Sequence, residues 1–118
     1  MGDNIRTRLS PEEKIRKAIE YIEGNYTGKI SREEIAVHIG AHPDNMGKYF
    51  KKYLGKTVNE HINGLRIRDA VAMLINTDER IIDIAYSVGF ESLRTFNRVF
   101  MERMKTSPVI YREKNGVK

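Results

Sequence analysis

The segments IAVHIG at 35–40 and IAYSVG at 84–89 share the form Ile-Ala-x-x-aliphatic-Gly and lie 49 residues apart. Past each glycine the offset becomes 50, which aligns Met46 with Phe96, Phe50 with Phe100 and Lys48 with Arg98. One residue has been added to the second turn. A short helix with Ala at a close-packing position, a Gly-bearing turn of about three or four residues, and a second helix with one apolar edge is the helix-turn-helix pattern. One copy is an ordinary helical corner. Two copies in register, tied by one long helix, specify a pair of such motifs.

The helix signals around the repeat are consistent with it. SPEE at 10–13 offers Ser10 as N-cap, Pro11 at the first helical position and Glu13 reaching back, and predicts a helix over 11–25 through Ile15, Ile19 and Ile22 to Tyr26. SREE at 31–34 is a second capping box, opening a short helix that stops at Gly40. His42 as cap and Pro43 start a helix over about 43–54, with Met46, Tyr49, Phe50, Tyr53 and Leu54 inward and Gly55 at its end. TVNE at 57–60 begins a helix of about 19 residues through Ile62, Leu65, Ala70, Val71 and Leu74, broken near Asn76. A short helix through Ile81, Ile84, Ala85 and Val88 ends at Gly89, Ser92 caps the next, and SPVIYR at 107–112 reads as a closing helix.

No strand-period run or hairpin dipeptide occurs, so the expected class is all-α, with about seven helices. The expected organisation is a loose tail over 1–9, a domain over 10–112 and a C-terminal tail over 113–118. Within the domain, helix-turn-helix subdomains over about 31–55 and 80–104 are joined by a linker helix over about 57–76.

In GFESLRTFNRVF at 89–100, Phe96, Val99 and Phe100 share one side of a helix drawn at about 100° per residue, and Arg94, Asn97, Arg98 and Met101 share the other. The corresponding outward set in the first motif is Asp44, Gly47, Lys48 and Lys51. In a helix-turn-helix the second helix enters the major groove, where Arg and Asn pair in bidentate fashion with guanine and adenine. The second helix is therefore the better equipped to read sequence. The first is expected to contribute anchoring through Lys48, Lys51 and Lys52. Charge agrees with a nucleic-acid partner: the formal net charge is +5, and residues 41–118 carry fourteen basic against nine acidic side chains, whereas residues 1–40 carry seven of each.

These residues resemble the AraC/XylS family of bacterial transcription regulators in its two-motif DNA-binding domain. The resemblance is carried by ISREEIAVHIG, by YFKKYLGKTVNEHINGLRIRDAVAMLINTDERIIDIAYSVGF and by FNRVFMERMKTSPVIYR. It implies two recognition helices in adjacent major-groove segments of double-stranded promoter DNA. A monomer would cover two boxes roughly one turn, ~10 bp, apart. Positions matching the family's base contacts are Asp44, Gly47 and Lys48, then Leu93, Arg94, Asn97 and Arg98, while Lys51 and Thr95 match phosphate-touching positions. An activator that contacts RNA polymerase, placed in the cytoplasm at the nucleoid, is likewise an implication of the resemblance. So is a small-molecule effector, which would require a sensor domain. The chain is then either a small stand-alone regulator or the C-terminal domain of a longer one. It departs from the family pattern at Lys105, where a glycine usually ends the second recognition helix, and at Met101 and Glu102, which replace residues that are commonly basic.

Other functions find little support. With no cysteine, a disulfide framework, a thiolate zinc site and a cysteine nucleophile are excluded. His38 and His42 straddle Gly40, no HExxH occurs, and the three histidines are expected to be solvated or capping. No cofactor, metal or catalytic residue is expected, and the chain reads as soluble and intracellular. Arg66 in LRIR is expected to pair with a carboxylate inside the domain. The competing reading is a helical protein-interaction module that kept the fold and lost DNA binding, with Asp44, Glu91 and Glu102 in its favour.

Overall fold

A computed structural model describes residues 9–116; the tail positions 1–8 and 117–118 lie outside the described residues. Seven helices and no strand occur among the described residues. They are α1 (Pro11–Asn25), α2 (Arg32–Ile39), α3 (Pro43–Leu54), α4 (Val58–Asn76), α5 (Ile81–Ser87), α6 (Leu93–Met104) and α7 (Pro108–Asn115). The closing helix thus continues past Arg112, into the stretch expected to be tail. The chain divides into two compact units: residues up to Asn25 with Ile30–Ile62, and Tyr26–Lys29 with the residues from Asn63 onward.

The caps explain where the helices begin. Two capping boxes are complete: Ser10 N–H donates to Glu13 at 2.9 Å and Glu13 N–H to Ser10 Oγ at 3.1 Å, while Thr57 and Glu60 exchange bonds of 2.7 and 3.0 Å. The box at 31–34 is only half formed. Ser31 Oγ accepts from Glu34 N–H at 3.0 Å, but the Glu34 carboxylate accepts from the Tyr21 hydroxyl at 2.8 Å instead of reaching back. A long-range partner on α1 has outcompeted the local one.

The first unit packs α1, α2, α3 and the first turns of α4 around Ile15, Ala18, Ile22, Ile35, Ile39, Met46, Phe50, Val58 and Ile62, all buried. Tyr53, expected inward, is instead 36% exposed, with Lys52 Nζ 5.3 Å from its ring centroid. Its hydroxyl favours a position that water reaches. His61 is neither solvated nor capping. It meets Phe50 edge-on at 5.9 Å between centroids, and neither buried ring nitrogen has a hydrogen-bond partner among the described residues. Burial first, then the charge of Lys56, pushes its pKa below the ordinary histidine value, against the opposing pull of Glu23.

The second unit is built on Ile67, Ala70, Leu74, Ile84, Ala85, Val88, Phe90, Phe96, Val99 and Phe100. Val58 and Ile62 of α4 serve the first unit and Ile67, Ala70 and Leu74 the second, so no single apolar stripe runs the length of this helix. That is why Leu65 was expected inward and Ile67 takes the core position instead. Arg66 also differs from expectation. Its Nε donates to the Tyr26 carbonyl at 2.7 Å and its Nη2 to the Gly28 carbonyl at 3.0 Å, and the guanidinium lies 5.5 Å from the Phe90 ring centroid. Burial lowers its pKa, and Glu91 acts only through space to raise it. Two backbone carbonyls thus take the place of the expected carboxylate. Beside them the Tyr26 hydroxyl donates to the Asp69 carboxylate, which raises the phenol pKa.

Arg112 performs a similar task at the other end of α4. It donates to the carbonyls of Leu74 at 3.1 Å, Thr77 at 3.1 Å and Glu79 at 2.7 Å, closing a helix end whose last carbonyls have no partner within the helix. The end of α6 is stranger: Lys105 adopts φ 62° and ψ 23°, a left-handed cap made by a side-chain-bearing residue, with its N–H on the Met101 carbonyl at 2.9 Å.

Two measurements check this account. Lys105→Gly should stabilise the fold by about 0.5–1 kcal/mol in denaturant unfolding, because it relieves a left-handed conformation that costs an L-residue about 1 kcal/mol. His61→Phe keeps the aromatic contact and removes two unpartnered nitrogens. Since the unfolded chain binds a proton near pH 6.5 and the folded chain only below it, wild-type stability falls as pH drops through about 6.5, and the His61→Phe protein should lack that part of the fall.

Candidate nucleic-acid interface

The two corners that position the candidate recognition helices are made differently. In the first, α2 ends at Gly40 with φ 70°, whose N–H reaches the Val37 carbonyl at 3.2 Å while Ala41 N–H reaches that of Ala36 at 2.9 Å. His42 then caps α3, its Nδ1 accepting from Asp44 N–H at 3.3 Å. In the second, α5 closes one residue earlier, at Ser87. Val88 is its C-cap and Gly89 takes φ 117°. The extra residue beyond the glycine is thus matched by an earlier helix end, and the second turn is the longer. Ser92 begins α6, its Oγ accepting from Thr95 N–H at 3.1 Å.

Gly89 is held by more than its dihedral angle. A Cβ at this position would lie 2.6 Å from Arg66 Nε and would also strike the Tyr26 carbonyl, the pair whose hydrogen bond seats the 26–29 segment. The turn of the second motif and the Arg66 anchor therefore occupy one crowded spot.

Within the first unit, Met46 and Phe50 are fully buried and fix the rotation of α3 about its axis. Asp44, Lys48, Lys51 and Lys52 consequently stand exposed. Gly47 is half-buried, and a Cβ there would lie 3.9 Å from Arg32 Nη1. It borders a hollow of about 510 Å³ lined also by Arg32, Glu33 and Thr57–Asn59. Asp44 carries a negative charge on the first turn, with its carboxylate 3.9 Å from His42 Nδ1. A carboxylate there suits the helix dipole and opposes a phosphate.

Within the second unit, Phe96 and Phe100 are fully buried and meet at a tilt of 56° with ring centroids 5.6 Å apart; Phe90 and Tyr111 extend the cluster edge-on at 5.4 and 5.8 Å. Arg94, Asn97 and Arg98 are exposed on the opposite side of α6. Leu93 is half-buried against the second core, and Thr95 is half-buried with its hydroxyl bonded to Ser92 Oγ at 3.0 Å. Of the ten positions expected to meet DNA, these two and Gly47 are the least free of the protein itself.

Two features were not anticipated. Arg98 Nη1 lies 3.5 Å from Glu102 Oε1, one turn along α6, so one of the candidate readers already has an anionic partner. The signal was present as an Arg-x-x-x-Glu spacing. Arg103 lies against α4, close enough that a Cβ on Gly64 would fall 2.7 Å from its Nη2. A glycine inside a long helix, where it costs roughly 1 kcal/mol relative to alanine, was the available hint. Histidines 38, 42 and 61 do not converge: His38 packs on Tyr21 at 4.3 Å, His42 caps α3 and His61 lies against Phe50.

A helix-turn-helix domain family model matches residues 35–114. The HTH-type transcriptional activator AarP of Providencia stuartii is 34% identical over 98 residues, covering 83% of this chain and 73% of AarP. The regulatory protein PocR of Salmonella typhimurium is 31% identical over 102 residues, covering 86% of this chain but only 34% of PocR, so the chain spans about a third of that relative. Among solved structures, the C-terminal domain of AraT, a response regulator from Geobacillus stearothermophilus, superposes with a TM-score of 0.85 at 27% identity, covering 94% of this chain and 91% of that one. No described helix is long and apolar enough to cross a membrane.

The crowding at the second turn gives a direct test. Gly89→Ala should cost at least about 2 kcal/mol in chemical denaturation, through a disfavoured backbone conformation and displacement of Arg66 together. Gly24→Ala, on a helical position with open space around it, should be neutral or stabilising in the same assay.

Proposed function

The chain belongs to the AraC/XylS-type helix-turn-helix family, and from that membership we propose that it binds double-stranded promoter DNA sequence-specifically and regulates transcription, as an activator, by inserting α3 and α6 into adjacent major-groove segments. The observation that carries the reading is the two-sidedness of α6. Phe96 and Phe100 lock one edge into the core, and that lock presents Arg94, Asn97 and Arg98 as a preorganised polar face. Guanidinium and carboxamide groups on such a face suit guanine and adenine edges, and each good bidentate pair is worth about 1–3 kcal/mol of discrimination.

The exposed lysines of α3 supply a different term. Lys48, Lys51 and Lys52 are flexible point charges suited to phosphates, which position a protein on the duplex without reading sequence. Base contact by Asp44, Gly47, Lys48, Leu93, Arg94, Asn97 and Arg98, and phosphate contact by Lys51, Lys52 and Thr95, are part of this proposal. Activation, supported by the likeness to the transcriptional activator AarP, implies RNA polymerase as a further partner. Any effector would act through a sensor segment outside these residues.

Selection from a random duplex pool should return one asymmetric pair of boxes about 10 bp apart. Binding to that site should weaken by orders of magnitude between about 50 and 200 mM salt, as expected for roughly 6–10 phosphate contacts. Arg94→Ala should cost about 1–3 kcal/mol and relax preference at one base pair, whereas Lys51→Ala should weaken all sequences alike and reduce the salt slope by about one. Salt-insensitive or absent duplex binding would overturn the reading in favour of a protein-interaction module.

A further inference from the structure

The internal repeat supplies a comparison between the two recognition helices that the chain itself controls. At an offset of 50, Arg98 corresponds to Lys48 and Glu102 to Lys52. The first helix therefore carries two cations one turn apart, where the second carries a cation and an anion. In the second helix the two have closed into an ion pair of 3.5 Å, with both side chains 62% exposed. Arg94, on the same face, has no such partner among the described residues.

Helix stability does not account for Glu102. It sits in the last turns of α6, where the helix dipole disfavours an anion. Its order relative to Arg98, cation first and anion four residues later, is the weaker of the two i,i+4 arrangements. An exposed pair of this kind adds little to folding in any case. A lysine, as at the corresponding Lys52, would suit the helix end better.

We propose that Glu102 is a specificity-determining positioning residue: its carboxylate holds the Arg98 guanidinium on the groove-facing side of α6 and makes non-cognate contact with phosphate unfavourable. This rests on the DNA-binding reading above. Arginine has five N–H donors in a planar fork, so Nη1 can stay on the carboxylate while the remaining donors meet the two acceptors of a guanine edge. A phosphate in place of guanine offers Arg98 an anion where the base edge offers neutral acceptors, yet it also brings that anion up to Glu102. The carboxylate thus taxes every register in which Arg98 meets backbone, and leaves the register in which it meets guanine. Specificity is a difference between two affinities, and a built-in repulsion widens it. Among the described residues neither Lys48 nor Lys52 forms such an ion pair, although Asp44 stands one turn before Lys48, and the two lysines are in keeping with anchoring on any sequence.

The test compares the unsubstituted protein with Glu102→Gln, which keeps the shape and removes the charge, and with Glu102→Lys, which copies the first motif. Affinity is measured for the selected duplex and for a scrambled duplex of equal length, between about 50 and 200 mM salt. Scrambled-duplex binding should tighten roughly threefold or more in Glu102→Gln, and further in Glu102→Lys, with its salt slope steeper by about one in Glu102→Gln. The selected duplex should gain less, so the ratio of the two affinities falls. In an Arg98→Ala background, Glu102→Gln should leave that ratio unchanged.

Equal tightening on both duplexes, or no change on either, overturns the proposal. So does a fall in the ratio that persists without Arg98, which would give the Glu102 carboxylate a base contact of its own. If the unsubstituted protein binds neither duplex, the DNA-binding reading itself has failed, and this inference with it.

Discussion

The arrangement depends on how each candidate recognition helix is keyed to its core. In α3 the key is Met46 and Phe50, and in α6 it is Phe96 and Phe100, each pair one turn apart and fully buried. Two large side chains at i and i+4 define a line along the helix, and seating that line in a close-packed core leaves no freedom to rotate about the axis. Every outward position is then determined by what faces inward. Arg94, Asn97 and Arg98 are presented together because Phe96 and Phe100 are held, and no contact among the three is needed.

That keying only works if each helix also starts at a defined residue, and the corners supply this by different means. The first corner is short, with a left-handed Gly40 and a histidine cap. The second is longer, with Gly89 packed against Arg66 and a serine cap that also holds the Thr95 hydroxyl. Arg66 and Arg112 extend the same logic. Each spends its donors on backbone carbonyls, of Tyr26 and Gly28 in one case and of Leu74, Thr77 and Glu79 in the other. Both arginines close loops or helix ends that would otherwise leave acceptors unpaired. Fixed positive charge in this chain is therefore of two kinds, part structural and part exposed, and net charge alone does not separate them.

The sequence made the helices legible because their ends are marked by local chemistry. Capping boxes and Pro at the first helical position marked the starts of α1 and α3, Gly55 marked the end of α3, the box at Thr57 brought the start of α4 to within a residue, and the repeat marked both helical corners. What stayed hidden depends on partners distant in sequence. Glu34 leaves its capping box for Tyr21, thirteen positions away. Ile67 replaces Leu65 in the core because α4 serves two units and changes the set of residues it buries. Arg66 prefers carbonyls forty residues upstream to any nearby carboxylate, and no periodicity in LRIR encodes that. The candidate interface was legible as an outward set, since exposure follows from the inward pattern. The half-burial of Gly47, Leu93 and Thr95 depends on packing that no local pattern encodes.

The inequality of the two outward faces follows from the same reasoning. Replacing an arginine by a lysine preserves charge and discards the planar fork that makes bidentate recognition possible. At position 47 a glycine offers only backbone and a hollow lined in part by Arg32. On the proposed reading, the lysines of the α3 face are residue types that increase affinity on any duplex, Asp44 opposes them, and α6 carries types able to distinguish one base pair from another. On that reading the anionic partner of Arg98 lies where discrimination is concentrated, and among the described residues no lysine of α3 forms an ion pair of this kind, although Asp44 stands one turn before Lys48.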